Sequence, residues 1–94
     1  MVSFVIETFV AEDAQRHFTA EADGIRVAAE AFGAGGQVRL VRSYLVPGEG
    51  MGVHVIEANS AADVARVAER AGVEAERIVE AIRVEPGSGS PLGR

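Results

Sequence analysis

His54 places a titratable ring inside an otherwise apolar run, Met51-Gly52-Val53-His54-Val55-Ile56. Imidazole changes charge near neutral pH and binds divalent metals through either nitrogen, so it suits acid–base chemistry or metal ligation. Glu7 interrupts a second apolar run, Phe4-Val5-Ile6-Glu7-Thr8-Phe9. If the two runs are neighbouring strands, Glu7 and His54 make a pair able to act as general acid and base. The same pair is a candidate metal site for nickel or zinc. The plainer role for such a histidine is a buried ring satisfied by hydrogen bonds. Glu80 interrupts a third run, and two facing carboxylates could share a proton or a cation. Pairing with Arg39, Arg42 or Arg83 is the commoner arrangement. Tyr44, the lone tyrosine, offers a phenol to a pocket or packs with one hydrogen bond. His17 sits beside acidic residues and reads as solvent-facing.

Several chemistries are excluded. Without cysteine there are no disulfides, no thiolate metal sites and no paired thiols of a soft-metal chaperone. Gly33-Ala34-Gly35-Gly36 follows a helical pattern instead of opening one, so it offers no helix N-terminus to a phosphate. Nucleophile-elbow and zinc-protease motifs do not occur. The formal charge is −5 and all nine basic residues are arginine. An acidic chain repels phosphate backbones, and no basic stripe suits an anionic membrane. The strand of His54 lacks the aromatic and basic residues of an RNA-recognition surface. The opening Met1 to Glu7 lacks the basic start and long apolar core of a secretory leader, which predicts a soluble, cytoplasmic protein.

The elements that position these residues follow from periodicity. Val2 to Val10 is β-branched and aromatic, as strands are. From Asp13 the period turns helical, with Ala14, Phe18, Ala22, Ile25, Ala29 and Phe32 forming one stripe. Gly24 falls inside it, at a cost of about 1 kcal/mol against alanine, and could mark a kink. The glycine run at 33–36 ends the helix. Val38–Val46 and Met51–Ala58 read as two strands of a hairpin joined by Pro47-Gly48-Glu49-Gly50. Ser60 caps a second helix, with Asp63 in capping-box position, and Gly72 stops it. Ile78–Glu85 is the fourth strand. One domain, residues 1–85, and a flexible Pro/Gly/Ser-rich tail, residues 86–94, follow.

The order strand, helix, strand, strand, helix, strand predicts an α+β, ferredoxin-like βαββαβ fold: a four-stranded antiparallel sheet with both helices on one face. Every strand carries large apolar groups on both of its sides, whereas a one-sided sheet should alternate apolar with polar. Bare apolar patches of that size mark interfaces. A chain of 94 residues also buries only about 60–65 % of its unfolded surface, so it gains from association. The expectation is a homodimer closed into an α+β barrel.

The segments Tyr44-Leu45-Val46-Pro47-Gly48, Val55-Ile56-Glu57-Ala58-Asn59-Ser60-Ala61 and Glu69-Arg70-Ala71-Gly72, with Phe4-Val5-Ile6-Glu7, resemble a small domain family of unknown function. The resemblance spans residues 4–85. One described branch is a nickel-binding, dimeric ferredoxin-like protein, so the resemblance implies this fold, a dimer and nickel as cofactor. Members often carry cysteine near the place of His54, and the nickel-binding branch tends to show histidine where Val73 stands. The functional expectation is a dimer whose barrel interior, lined by Glu7, Phe9, Tyr44 and His54, binds a small-molecule ligand or a divalent cation. The alternatives are an enzyme like the cofactor-free monooxygenases or isomerases built on dimeric α+β barrels, and a purely structural interaction domain.

Overall fold

The computed structural model describes residues 1–11, 14–32 and 37–86. Its elements are β1 (Val2–Phe9), α1 (Gln15–Phe32), β2 (Arg39–Val46), β3 (Met51–Ala58), α2 (Ala61–Arg70) and β4 (Arg77–Ala81). The strands form one antiparallel sheet in the order β2-β3-β1-β4. This is the ferredoxin-like arrangement expected from the element order. Asp13, the 33–36 glycine run and residues 87–94 of the expected tail lie outside the described residues; Pro86 is exposed and belongs to no element.

Local chemistry sets each boundary. In the hairpin, the Glu49 amide donates to the Val46 carbonyl at 3.2 Å. Pro47 and Gly48 occupy the central positions, and Gly48 has φ +84°, as a type II turn requires. Ser60 caps α2, its hydroxyl accepting from the Asp63 amide at 3.2 Å. At the other end Gly72 has φ +74°. The Val73 amide returns to the Ala68 carbonyl and the Gly72 amide to that of Glu69. That bond pair is a Schellman stop, closed by burial of Val73.

Two expectations shift. α1 runs from Gln15 to Phe32 through Gly24 as one element. A Cβ at Gly24 would lie 3.8 Å from the Ala71 carbonyl and 3.9 Å from its Cβ, so the residue marks where α1 crosses close to α2. The fourth strand stops at Ala81 instead of continuing to Glu85. Ala81 faces Ser3 and β1 starts at Val2, so a longer β4 would have almost nothing left to pair with.

Burial alternates as one-sided packing demands. On β1, Phe4, Ile6 and Thr8 are buried; on β3, Gly52, His54, Ile56 and Ala58 are. These meet Phe18, Ile25, Ala28 and Ala29 of α1 and Val64, Val67 and Ala68 of α2. Among the described residues, no helix is long and apolar enough to cross a membrane.

Candidate functional site

His54 is at the middle of β3, opposite Ile6 of β1 on one side and Ser43 of β2 on the other. Its side chain is fully buried on the helix side of the sheet. There Nδ1 lies 2.6 Å from the Ser43 hydroxyl and Nε2 lies 2.8 Å from Glu21 Oε1. Phe18, one helical turn before Glu21, covers the ring, with centroids 4.7 Å apart and planes 17° from parallel. The sheet holds Ser43 and His54 in register, and α1 lowers Phe18 and Glu21 onto them together.

Hydrogen-bond logic assigns the protons. A carboxylate only accepts, so Nε2 carries the hydrogen toward Glu21. In the neutral ring Nδ1 is then the acceptor, and the Ser43 hydroxyl donates to it. A buried polar ring in an apolar core is costly unless satisfied, and here both nitrogens are. Glu21 is a quarter exposed, so its side chain reaches water. Ser43 lies on the edge strand and lines an open groove with Gln15, Thr19, Asp23, Arg26 and Leu40. The buried imidazole thus connects to solvent at both ends.

The other predicted site residues lie across the sheet. Because Ile6 is the partner of His54, Glu7 falls opposite Val53 and points the other way. The expected Glu7–His54 pair does not form. Glu7 instead binds Arg77, an arginine the sequence reading had not named, at 2.9 Å. That hydrogen bond, then the carboxylate charge, raises the Arg77 pKa above its ordinary value. Glu80 faces Phe4 and Glu7 faces Arg77, so the two carboxylates are on opposite faces and share nothing. Tyr44 is half exposed on the open face, its hydroxyl 3.5 Å from an Arg42 nitrogen. Phe9 is 72 % exposed there. His17 is exposed on α1, as expected.

Register divides the open face into rows. Phe9, Met51 and Val46 form the first. Arg77, Glu7, Val53 and Tyr44 form the second, Val79, Val5, Val55 and Arg42 the third. Ala81, Ser3, Glu57 and Arg39 form the last, with Arg39 bound to Glu57 at 2.8 Å. Three of the expected ligand residues, Glu7, Phe9 and Tyr44, therefore share this face. His54 does not.

The donors do not suit nickel. Glu7 and His54 lie on opposite faces, both nitrogens of His54 are occupied, and Glu7 holds Arg77. Among the described residues, no three His, Cys, Asp or Glu side chains group as a metal site would need.

No family model matches the chain, and no curated protein shows a significant match. Among solved structures the chain is similar to SCO4226 from Streptomyces coelicolor A3(2), with a TM-score of 0.70 and 24 % identity. The match covers 88 % of this chain and 99 % of that one. At this identity the likeness shows the fold.

Sequence reading missed Ser43, Glu21 and Phe18. Ser43 had a signal: the hairpin pairs Val46 with Met51, and counting back three residues on each arm sets Ser43 against His54. Glu21 had none, because its place depends on how α1 lies over the sheet.

Proposed function

We propose that the chain acts as a homodimeric binding domain, with the open faces of two sheets packed together around a small ligand. One observation carries this reading. The open face presents Val5, Phe9, Val46, Val53, Val55 and Val79, interrupted by the Glu7–Arg77 pair and bounded at one end by the Arg39–Glu57 pair. A largely apolar face carrying a few polar groups suits an interface. Among the described residues, the two carboxylates of the face, Glu7 and Glu57, each hold an arginine, so covering them strands no unpaired negative charge. Tyr44, Arg42 and the Glu7–Arg77 pair are the polar groups available to a ligand between the sheets. A small amphipathic organic molecule fits this mixture; a divalent ion would first have to displace Arg77 from Glu7. A barrel enzyme of the monooxygenase or isomerase type would need His54 between the sheets, and that ring lies on the helix side.

Light scattering coupled to size exclusion tests the assembly. The wild type should run at twice the 9.8 kDa chain mass, and Val55→Glu, with a bare charge at the centre of the face, should run as a folded monomer. A wild type that stays a single chain at the highest soluble concentration defeats the reading. A thermal-shift panel of amphipathic acids and amines, with nickel as a separate arm, tests the ligand, since anything bound only by the folded state raises Tm.

A further inference from the structure

We propose that Ser43, His54 and Glu21 form a nucleophile–base–carboxylate relay that cleaves small carboxylic esters entering the groove between α1 and β2. The site is separate from the open face and does not depend on the dimer. Three observations support it. The groups form one continuous chain, 2.6 Å from Ser43 Oγ to Nδ1 and 2.8 Å from Nε2 to Glu21. The base is wholly buried and clamped by Phe18, which fixes its orientation. Ser43 lines a groove wide enough for a small molecule, and Gln15 and Arg16 stand on its wall as N–H donors.

The spacing is that of activated serine, with hydroxyl and base in hydrogen-bond reach and a third group orienting the base. The fold is unlike those of the familiar serine hydrolases, but such constellations are recognised by geometry and role. Nδ1, in place of the more usual Nε2, faces the serine. The tautomer is still the required one, because Glu21 holds the proton on Nε2 and leaves Nδ1 free to accept.

Ser43 Oγ bonds to the ester carbonyl carbon as its proton passes to His54 Nδ1. Collapse of the tetrahedral adduct expels the alkoxide, which takes that proton and leaves as alcohol. Water entering along the groove beside Ser43 bonds to the acyl carbon as its proton passes to the same Nδ1. Collapse of that second adduct breaks the acyl–Oγ bond while Nδ1 returns the proton to Oγ. The products are a carboxylic acid and the regenerated hydroxyl, so one ester and one water give one acid and one alcohol. Glu21 is a positioning residue that accepts from Nε2–H throughout and steadies the imidazolium.

The test treats wild type, Ser43→Ala and His54→Gln with diisopropyl fluorophosphate, which esterifies an activated serine with loss of fluoride. Modification is mapped by peptide mass spectrometry, and 4-nitrophenyl acetate turnover is followed in parallel. Labelling at Ser43 should occur in the wild type and vanish in Ser43→Ala. Loss of the general base in His54→Gln should slow both reactions about a hundredfold or more. Circular dichroism checks that each variant is folded, and Ser43→Ala, altered at a partly exposed position, keeps the test valid if His54→Gln unfolds. For Glu21, nitrogen-15 spectra of the His54 ring should show the Nε2–H tautomer in wild type and in Glu21→Asp, and a mixture in Glu21→Leu. A wild type that is unlabelled at Ser43, or that turns over ester no faster than Ser43→Ala, overturns the proposal.

Discussion

Gly52 has no side chain because Phe18 occupies the space one would need. A Cβ built there would lie 2.8 Å from both Cδ1 and Cζ of Phe18, and nearer still to Cε1. Carbon contacts settle near 3.5–4.0 Å, so Gly52→Ala forces ring and strand apart by about 1 Å. Phe18 cannot simply swing away, since it is 6 % exposed and stacked on His54. Overpacking of this kind costs about 1–3 kcal/mol. If Phe18 carries α1 outward, the Glu21–His54 bond lengthens and forfeits part of its roughly 0.5–1.5 kcal/mol. Replacing glycine with alanine in a strand returns about 0.5–1 kcal/mol. The balance is a loss of about 2 kcal/mol, a fall in Tm of about 8–16 °C at the scale for domains of this size. Urea unfolding of Gly52→Ala, Phe18→Leu and the double variant measures it. On the Phe18→Leu background the alanine should cost at least about 1 kcal/mol less, the coupling expected of residues in contact. Full stability in Gly52→Ala, or the same loss with and without Phe18, would refute the reasoning.

Gly24→Ala should stabilise the chain by about 0.5–1 kcal/mol in thermal or urea unfolding, because its Cβ meets Ala71 only at ordinary contact distance. Thr8→Val should also raise the urea midpoint, by about 1 kcal/mol of stability, since the Thr8 hydroxyl is buried and lacks a hydrogen-bond partner among the described residues. Ser60→Ala should cost about 1 kcal/mol by freeing the Asp63 amide, with hydrogen exchange accelerated first at Asp63 in the opening turn of α2.

The fold was legible because each local device agreed with the global one. Pro47-Gly48 dictated a turn, Ser60 and Gly72 bracketed α2, and the pattern of apolar residues separated strands from helices. The end of β4 was not legible, because Ile82-Arg83-Val84 continues the strand pattern and only the length of β1 stops it. The site was half legible. His54 stood out as a polar ring in an apolar run, but its face hung on a single step of register. Setting Glu7 rather than Ile6 beside it turned the ring toward the wrong side of the sheet. Composition could not have resolved this, since both faces of every strand carry valine, isoleucine, leucine or phenylalanine. Ser43 was recoverable from hairpin arithmetic; Glu21 and Phe18 required the packing of α1.

The sheet therefore acts as a partition between two kinds of polar chemistry, and the partition explains their different character. On the helix side, His54 exposes no surface of its own and reaches solvent only through Ser43 and Glu21, so it is held at both nitrogens and stacked on one face. A group fixed in that way has lost its orientational freedom before any substrate arrives, which is the condition for useful acid–base catalysis. On the open side, Glu7 and Glu57 are three-quarters covered while Arg77 and Arg39 remain largely exposed. Exposed pairs of this sort add little to the stability of a lone chain. Their placement makes more sense as preparation for contact. In the proposed dimer, the matched charges of these two pairs let the neighbouring valines meet a second apolar surface without burying an unpaired carboxylate. Arg42, held among the described residues only by the Tyr44 hydroxyl, is the cation left for a ligand or the partner to meet.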